Sequence, residues 1–142
     1  MAAEASAGAA EGAKGEVMIT GDQLLCHAIG DYVLQSDWMA TEKTKRSVAA
    51  MAHVLTYALP FLFLRPSLLA LAVIVGTHFV IDRWRLARFV CWAKNIPWRP
   101  WSECSGTGYP SDRPPWLAVW LLIIADNCMH VLINGLALRY LP

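Results

Sequence analysis

The sequence predicts an all-α membrane protein: a bundle of four helices, with a Pro/Trp-rich loop between the third and the fourth. Three observations point there. Hydrophobic residues make up 56% of the 142 residues and charged residues 16%, against roughly 25% charged in an ordinary soluble domain. Two of the segments, the second and the third, lack the polar face that each helix of a small soluble bundle needs. Seven Trp in so short a chain suit a membrane–water interface. The same composition excludes a disordered chain. A formal net charge of +1 provides no bulk basic field for nucleic acid.

Residues 1–16 are rich in Ala, Gly and Glu and contain no apolar core of a signal peptide. They read as a disordered tail, which leaves 17–142 as a single helical membrane domain. The first helical segment, Val17 to Ala40, mixes apolar residues with Asp22, His27, Asp31, Gln35 and Asp37. It crosses the membrane or lies in the interface, and Asp37-Trp38-Met39 marks its end with an aromatic anchor. The second, Ser47 to Leu64, is almost wholly apolar, with His53 and Pro60 inside, and Arg65-Pro66 reads as a tight turn. The third runs from Ser67 to about Ala87 and is uncharged until Asp82. Asn95 to Pro115 holds five of the eight prolines and is read as a non-helical loop on the membrane surface, anchored by Trp98, Trp101 and Trp116. The fourth segment, Trp116 to Tyr140, is long enough to cross about 30 Å of hydrocarbon.

Nine of the twelve basic residues fall in two places: Lys43, Lys45 and Arg46 after the first segment, and Arg83, Arg85, Arg88, Lys94, Arg99 and Arg113 around the proline-rich loop. With four crossings both loops lie on one side, which the positive-inside bias makes cytoplasmic. The four Cys form no C-x-x-C pair; two of them, Cys26 and Cys128, lie inside apolar segments, and they read as small buried residues rather than a disulfide or zinc framework.

All four His lie inside the apolar segments. Three have an Asp four residues away (His27/Asp31, His78/Asp82, Asp126/His130), which places each pair on one helix face. Gln35 and Asn134 extend two of these stripes, and Thr56 shares roughly the face of His53. Counted from the cytoplasmic ends, Asp31, His53, His78 and Asp126 all lie about 9–15 Å deep. Ionisable groups in lipid need partners or a cavity, and imidazole with carboxylate suits zinc, manganese or iron. Seven ligands, His27, Asp31, His53, His78, Asp82, Asp126 and His130, exceed one tetrahedral zinc and suit one or two ions sharing a bridging Asp. A metal-free Asp–His network and a proton relay use the same residue types.

The string His27-x-x-x-Asp31-Tyr32-x-x-Gln35-x-Asp37-Trp38-Met39-x-x-x-Lys43, then His53, Thr77-His78-Phe79-x-Ile81-Asp82 and Asp126-x-x-x-His130, resembles the domain-of-unknown-function family 3307. Its members are small membrane proteins of bacteria and phages. The resemblance extends from about Leu24 to Leu136, with Asn127 standing where Gln is expected. It also looks similar, more distantly, to membrane-bound metal-dependent hydrolases, and so implies the inner membrane of a bacterial host, lipid as partner, and a lipid-linked or phosphate-bearing substrate at the cytoplasmic leaflet. Asp31, Asp82 and Asp126 are the expected catalytic carboxylates. Gln35, Thr77, Arg83, Arg85, Asn127 and Asn134 are expected to support the ligands or hold substrate. The competing expectation is a non-catalytic membrane protein: an ion or proton conduit, or a phage structural or host-takeover factor.

Overall fold

A computed structural model describes residues 19–141; the tail at 1–16 lies outside them. The described chain is helical, with seven α-helices and no strand among its described residues: α1 (Gly21–Ala28), α2 (Asp37–Glu42), α3 (Ser47–Phe61), α4 (Leu68–Trp84), α5 (Ala87–Lys94), α6 (Trp101–Cys104) and α7 (Pro115–Tyr140). Helices α1, α3, α4 and α7 pack as a closed ring of four neighbours. Helix α2 lies against α3, and α5 against α7.

The first predicted helix is broken. Thr20 caps α1 by accepting from Gln23 N at 3.2 Å. After Ala28 the backbone widens into a π-helical turn, Ile29–Val33, with Leu34 N donating to Ile29 O. Ser36 then caps a new helix, accepting from Met39 N at 3.3 Å, so Asp37-Trp38-Met39 opens α2 instead of ending a long segment. The widened turn runs close against α3: a Cβ on Gly30 would lie 2.6 Å from Tyr57 Cδ2 and 2.9 Å from Tyr57 O.

Helix α3 tightens into a 3₁₀ turn, Leu62–Leu64, just after Pro60. Arg65 adopts a left-handed conformation at φ 51° and completes the reversal expected at Arg65-Pro66. Ser67 caps α4 through Ala70 N at 2.9 Å. Its hydroxyl also donates to Leu141 O at 2.8 Å, tying the α3–α4 turn to the end of α7. Below the site the bundle closes on Tyr57, Phe61, Ala70, Ile74 and Ala137.

Helix α4 stops at Trp84, where Arg85 turns left-handed at φ 53°, and α5 leaves as a separate helix that the sequence pattern had not marked. The proline-rich stretch is not wholly irregular: residues Trp101–Cys104 form one helical turn. Phe89 stacks on Trp101 with centroids 4.7 Å apart. Cys26, Cys91 and Cys104 are buried and Cys128 is exposed, all as free thiols.

Two helical stretches, Ser47–Leu64 and Pro115–Tyr140, are long and apolar enough to cross a membrane. The four-span expectation therefore reduces to a four-helix ring with two such stretches. Helix α4 has 17 residues, and α1 with its π turn has 13, about 20 Å at 1.5 Å per residue.

Candidate metal centre

The ring of helices turns all four His inward. His27, His53, His78 and His130 are each at most 4% exposed, and Asp31 and Asp82 are buried beside them. Asp31 comes from the π turn, His53 from α3, His78 and Asp82 from α4, and Asp126 and His130 from α7. The turn matters here because its extra residue per turn swings Asp31 off the regular helical path and toward α3 and α4.

Asp31, His53, His78 and Asp82 each offer one ligand atom, all within 4.8 Å of one another and all from buried residues. His53 Nε2 lies 3.0 Å from His78 Nε2, 3.2 Å from Asp31 Oδ1 and 3.1 Å from Asp82 Oδ2. His78 Nε2 lies 3.4 Å from Asp31 Oδ1 and 3.2 Å from Asp82 Oδ2. Ligand bonds of about 2.0–2.2 Å in a tetrahedron put neighbouring ligand atoms about 3.3–3.6 Å apart. The measured separations sit at or slightly under that edge. Asp31 Oδ1 is buried and accepts no hydrogen bond within the described residues, and Asp82 Oδ2 is buried against the Lys43 ammonium. Two acceptor oxygens and two imidazole nitrogens converging on one point fit a divalent cation.

A second set, Asp82, Asp126 and His130, meets the same spacing. His130 Nε2 is 3.4 Å from both Asp82 Oδ1 and Asp126 Oδ2. Asp82 thus turns one oxygen to each set, the geometry of a bridging carboxylate. The rings are oriented by packing: His78 lies between Tyr57, at 3.8 Å, and His130, at 3.9 Å and 21°. Nδ1 of His53 and of His78 is buried without a hydrogen-bond partner among the described residues; the His78 ring is held by its packing between Tyr57 and His130.

His27 belongs to neither set. Its Nε2 meets Asn127 Oδ1 at 2.7 Å and its Nδ1 meets the Tyr57 hydroxyl at 2.9 Å, with Asp31 Oδ2 farther off at 3.6 Å. Asn127 Nδ2 donates to Ile123 O, which turns the amide oxygen toward His27. Nε2–H then donates to Asn127 and Nδ1 accepts the Tyr57 proton. Tyr32 also donates to Asn127 Oδ1 at 2.8 Å, and Asn134 donates to the Tyr57 oxygen at 2.6 Å. Thr77 turns away, donating to Val73 O at 2.7 Å. Arg83 holds the α2–α3 connection through Thr44 O and Lys45 O rather than facing the cluster.

A cavity of about 390 Å³ opens beside the cluster, lined by Asp31, Asp82 and Asp126 together with Tyr32, Gln35, Lys43, Arg85 and Asn127. Gln35 Oε1 is buried there with no partner among the described residues. Arg85 donates to Gly106 O at 2.9 Å and pins the proline-rich loop over this end. Two residues that sequence reasoning did not assign to the site take part. Tyr57 follows His53 by one helical turn, the signal that would have found it, while Thr56 bonds back to Ala52 O and His53 O. Lys43 Nζ lies 2.8 Å from Asp82 Oδ2 and 3.2 Å from His53 Nε2. Its position in a basic connecting run hid that role.

The fold and cluster define a helical-bundle protein with a buried His/Asp donor set that can hold a metal ion. The chain belongs to the family described as protein of unknown function, DUF3307, whose sequence model matches residues 19–102. That span includes Asp31, Lys43, His53, His78 and Asp82 and ends before α7, which brings Asp126 and His130. No curated protein and no solved structure matches the chain.

Proposed function

We propose that the protein is a membrane-embedded, metal-dependent hydrolase acting on a lipid-linked or phosphate-bearing substrate at the cytoplasmic leaflet of a bacterial inner membrane. One observation carries this reading: four buried ligand atoms stand near tetrahedral spacing beside a cavity whose lining includes Lys43 and Arg85. Zinc, manganese or iron, as one ion or two, would polarise an ester or phosphoryl oxygen and acidify bound water. The chain's own groups supply the rest. Asp31, His53, His78 and Asp82 would hold one ion, and Asp82, Asp126 and His130 offer the donors for a second. Asp126, half-buried on the cavity wall, is placed to take a proton from the attacking water. Arg85 keeps free guanidinium N–H groups for an anionic substrate oxygen.

The membrane placement rests on outward apolar stripes. Val48, Met51, Leu55 and Leu59 on α3 with Phe63 in the following 3₁₀ turn, and Trp116, Trp120, Ile124, Leu132 and Leu136 on α7, are all exposed large side chains. Such a continuous exposed apolar surface suits lipid. The site lies at the end that carries most of the basic residues, hence the cytoplasmic leaflet.

Metal analysis of protein purified in detergent tests the reading, together with hydrolysis of a chromogenic phosphate ester. A bound transition metal that is lost in His78→Ala, with hydrolysis restored to the wild type by added metal after chelation, is the expected result. Wild-type protein free of metal, with His78→Ala retaining full biological activity, would overturn it. The Lys43–Asp82 ion pair supports a second reading, a non-catalytic membrane protein in which the Asp–His pairs are a structural polar network, because it neutralises a buried carboxylate without a metal. On that reading His78→Ala lowers stability and leaves metal content at zero.

A further inference from the structure

We propose that Lys43 is a resident cation of the metal site: a divalent ion displaces its ammonium, which then turns into the cavity and binds the anionic group of the substrate. The inference rests on the metal reading above and identifies the substrate by its charge, as a phosphate or similar oxyanion.

Three observations carry it. Lys43 Nζ approaches two of the four buried ligand atoms, Asp82 Oδ2 at 2.8 Å and His53 Nε2 at 3.2 Å. Two cations cannot share those atoms, since like charges a few ångströms apart in a poorly solvated site repel strongly. The ammonium also leaves the site incompletely satisfied: it meets Asp82 Oδ2 and His53 Nε2 but not Asp31 Oδ1, which is buried without a hydrogen bond among the described residues. A divalent ion engaging all four atoms removes that deficit.

The second observation is that the exchange needs only a side-chain rotation. The backbone of the α2–α3 connection is pinned by Arg83, which donates to Thr44 O at 2.7 Å and Lys45 O at 3.1 Å. Lys43 reaches the cluster with its flexible four-carbon stem alone. It also lines the cavity, as Arg85 does, so an outward rotamer turns the ammonium into that same cavity.

The third is the charge count. One divalent ion cancels Asp31 and Asp82. Lys43 and Arg85 against Asp126 then leave a surplus positive charge around the cavity, and an oxyanion neutralises it. With Lys43 on Asp82 and no metal, the anion subsite is half assembled, so metal and anion bind together.

The test uses the full chain in detergent, with Zn²⁺ affinity measured by competition with a chelating dye and orthophosphate binding measured on zinc-loaded protein. Lys43→Met and Lys43→Gln should each bind Zn²⁺ about tenfold more tightly than the wild type and, once loaded, bind orthophosphate about tenfold more weakly. Lys45→Met, on an exposed neighbour paired with Glu42, should change neither. Wild-type zinc binding that Lys43→Met and Lys43→Gln leave unchanged or weaken overturns the exchange while the metal centre stands. Absence of zinc binding in wild type and both variants overturns the exchange and the metal reading together.

Discussion

Asp82 is the residue on which the centre turns, because its two oxygens face different ligand sets: Oδ2 toward His53 and His78, Oδ1 toward His130. Asp82→Asn should therefore remove bound metal completely, whereas Asp126→Asn should affect only a second ion. His27→Gln should retain metal, since the ring nitrogens of His27 already serve Asn127 and Tyr57. Metal-to-protein ratios on the three purified variants check the order. Acid should act at the same scale. Neutral imidazole ligates and imidazolium does not, so falling pH converts ligands into repelling cations. Metal should be released progressively as pH falls, because protons compete with the ion for the imidazole nitrogens, and rebound as pH is raised. Dialysis at a series of pH values followed by metal analysis reads this directly. The His/Asp pairs were legible in the sequence because four-residue spacing places two side chains on one face of a regular helix. Lys43 was not, because it lies on a connection to which no helical period applies, and its reach depends on where α2 packs.

Among the elements, the π turn decides the geometry of the site. A regular helix through Ile29–Val33 would keep Asp31 beneath His27, as the sequence spacing suggests. The wider turn and the missing side chain at Gly30 let this backbone lie against Tyr57 and aim Asp31 at His53. Gly30→Ala drives a methyl into the Tyr57 ring edge and carbonyl. It should cost about 1–3 kcal/mol in unfolding free energy and weaken metal binding by withdrawing Asp31. Denaturant titration with metal affinity on the same sample measures both, and stability loss with undiminished affinity would show that the turn does not position the ligand. Nothing in composition marked the turn, since one residue added to a helical repeat leaves the apolar pattern almost unchanged. The end of α4 was hidden for a related reason. Its left-handed residue is Arg85, and the glycine that normally advertises such a cap is absent.

The molecule as a whole has two unlike ends. One carries the cluster, the cavity, Arg83, Arg85 and the proline-rich loop; the other carries Thr20, the Arg65–Ser67 turn and the end of α7 at Leu141. If the bundle sits in lipid with the basic end inside, a reporter at Ser105 should be cytoplasmic and one at the C-terminus external. The chain should also stay with membranes after a carbonate wash. Release by carbonate, or both reporters on one side, would remove the membrane placement while leaving the donor cluster as described. The short α1 and its π turn need not cross alone, because α3 and α7 flank them on both sides.

Composition, apolar run lengths and spacing alone determined that the chain is helical, that it contains long apolar segments, and that each His/Asp pair shares one helix face. Those properties depend on residue type and on the fixed pitch of a helix, so they are readable one segment at a time. The tertiary structure decided which stripes meet. It set Asp31 and Asp82 across from two imidazoles, took His27 out of the donor set, and brought Lys43 and Tyr57 in. Such choices depend on helix rotation, backbone widening and side-chain reach of a few ångströms, and these are fixed only when all four helices pack against one another.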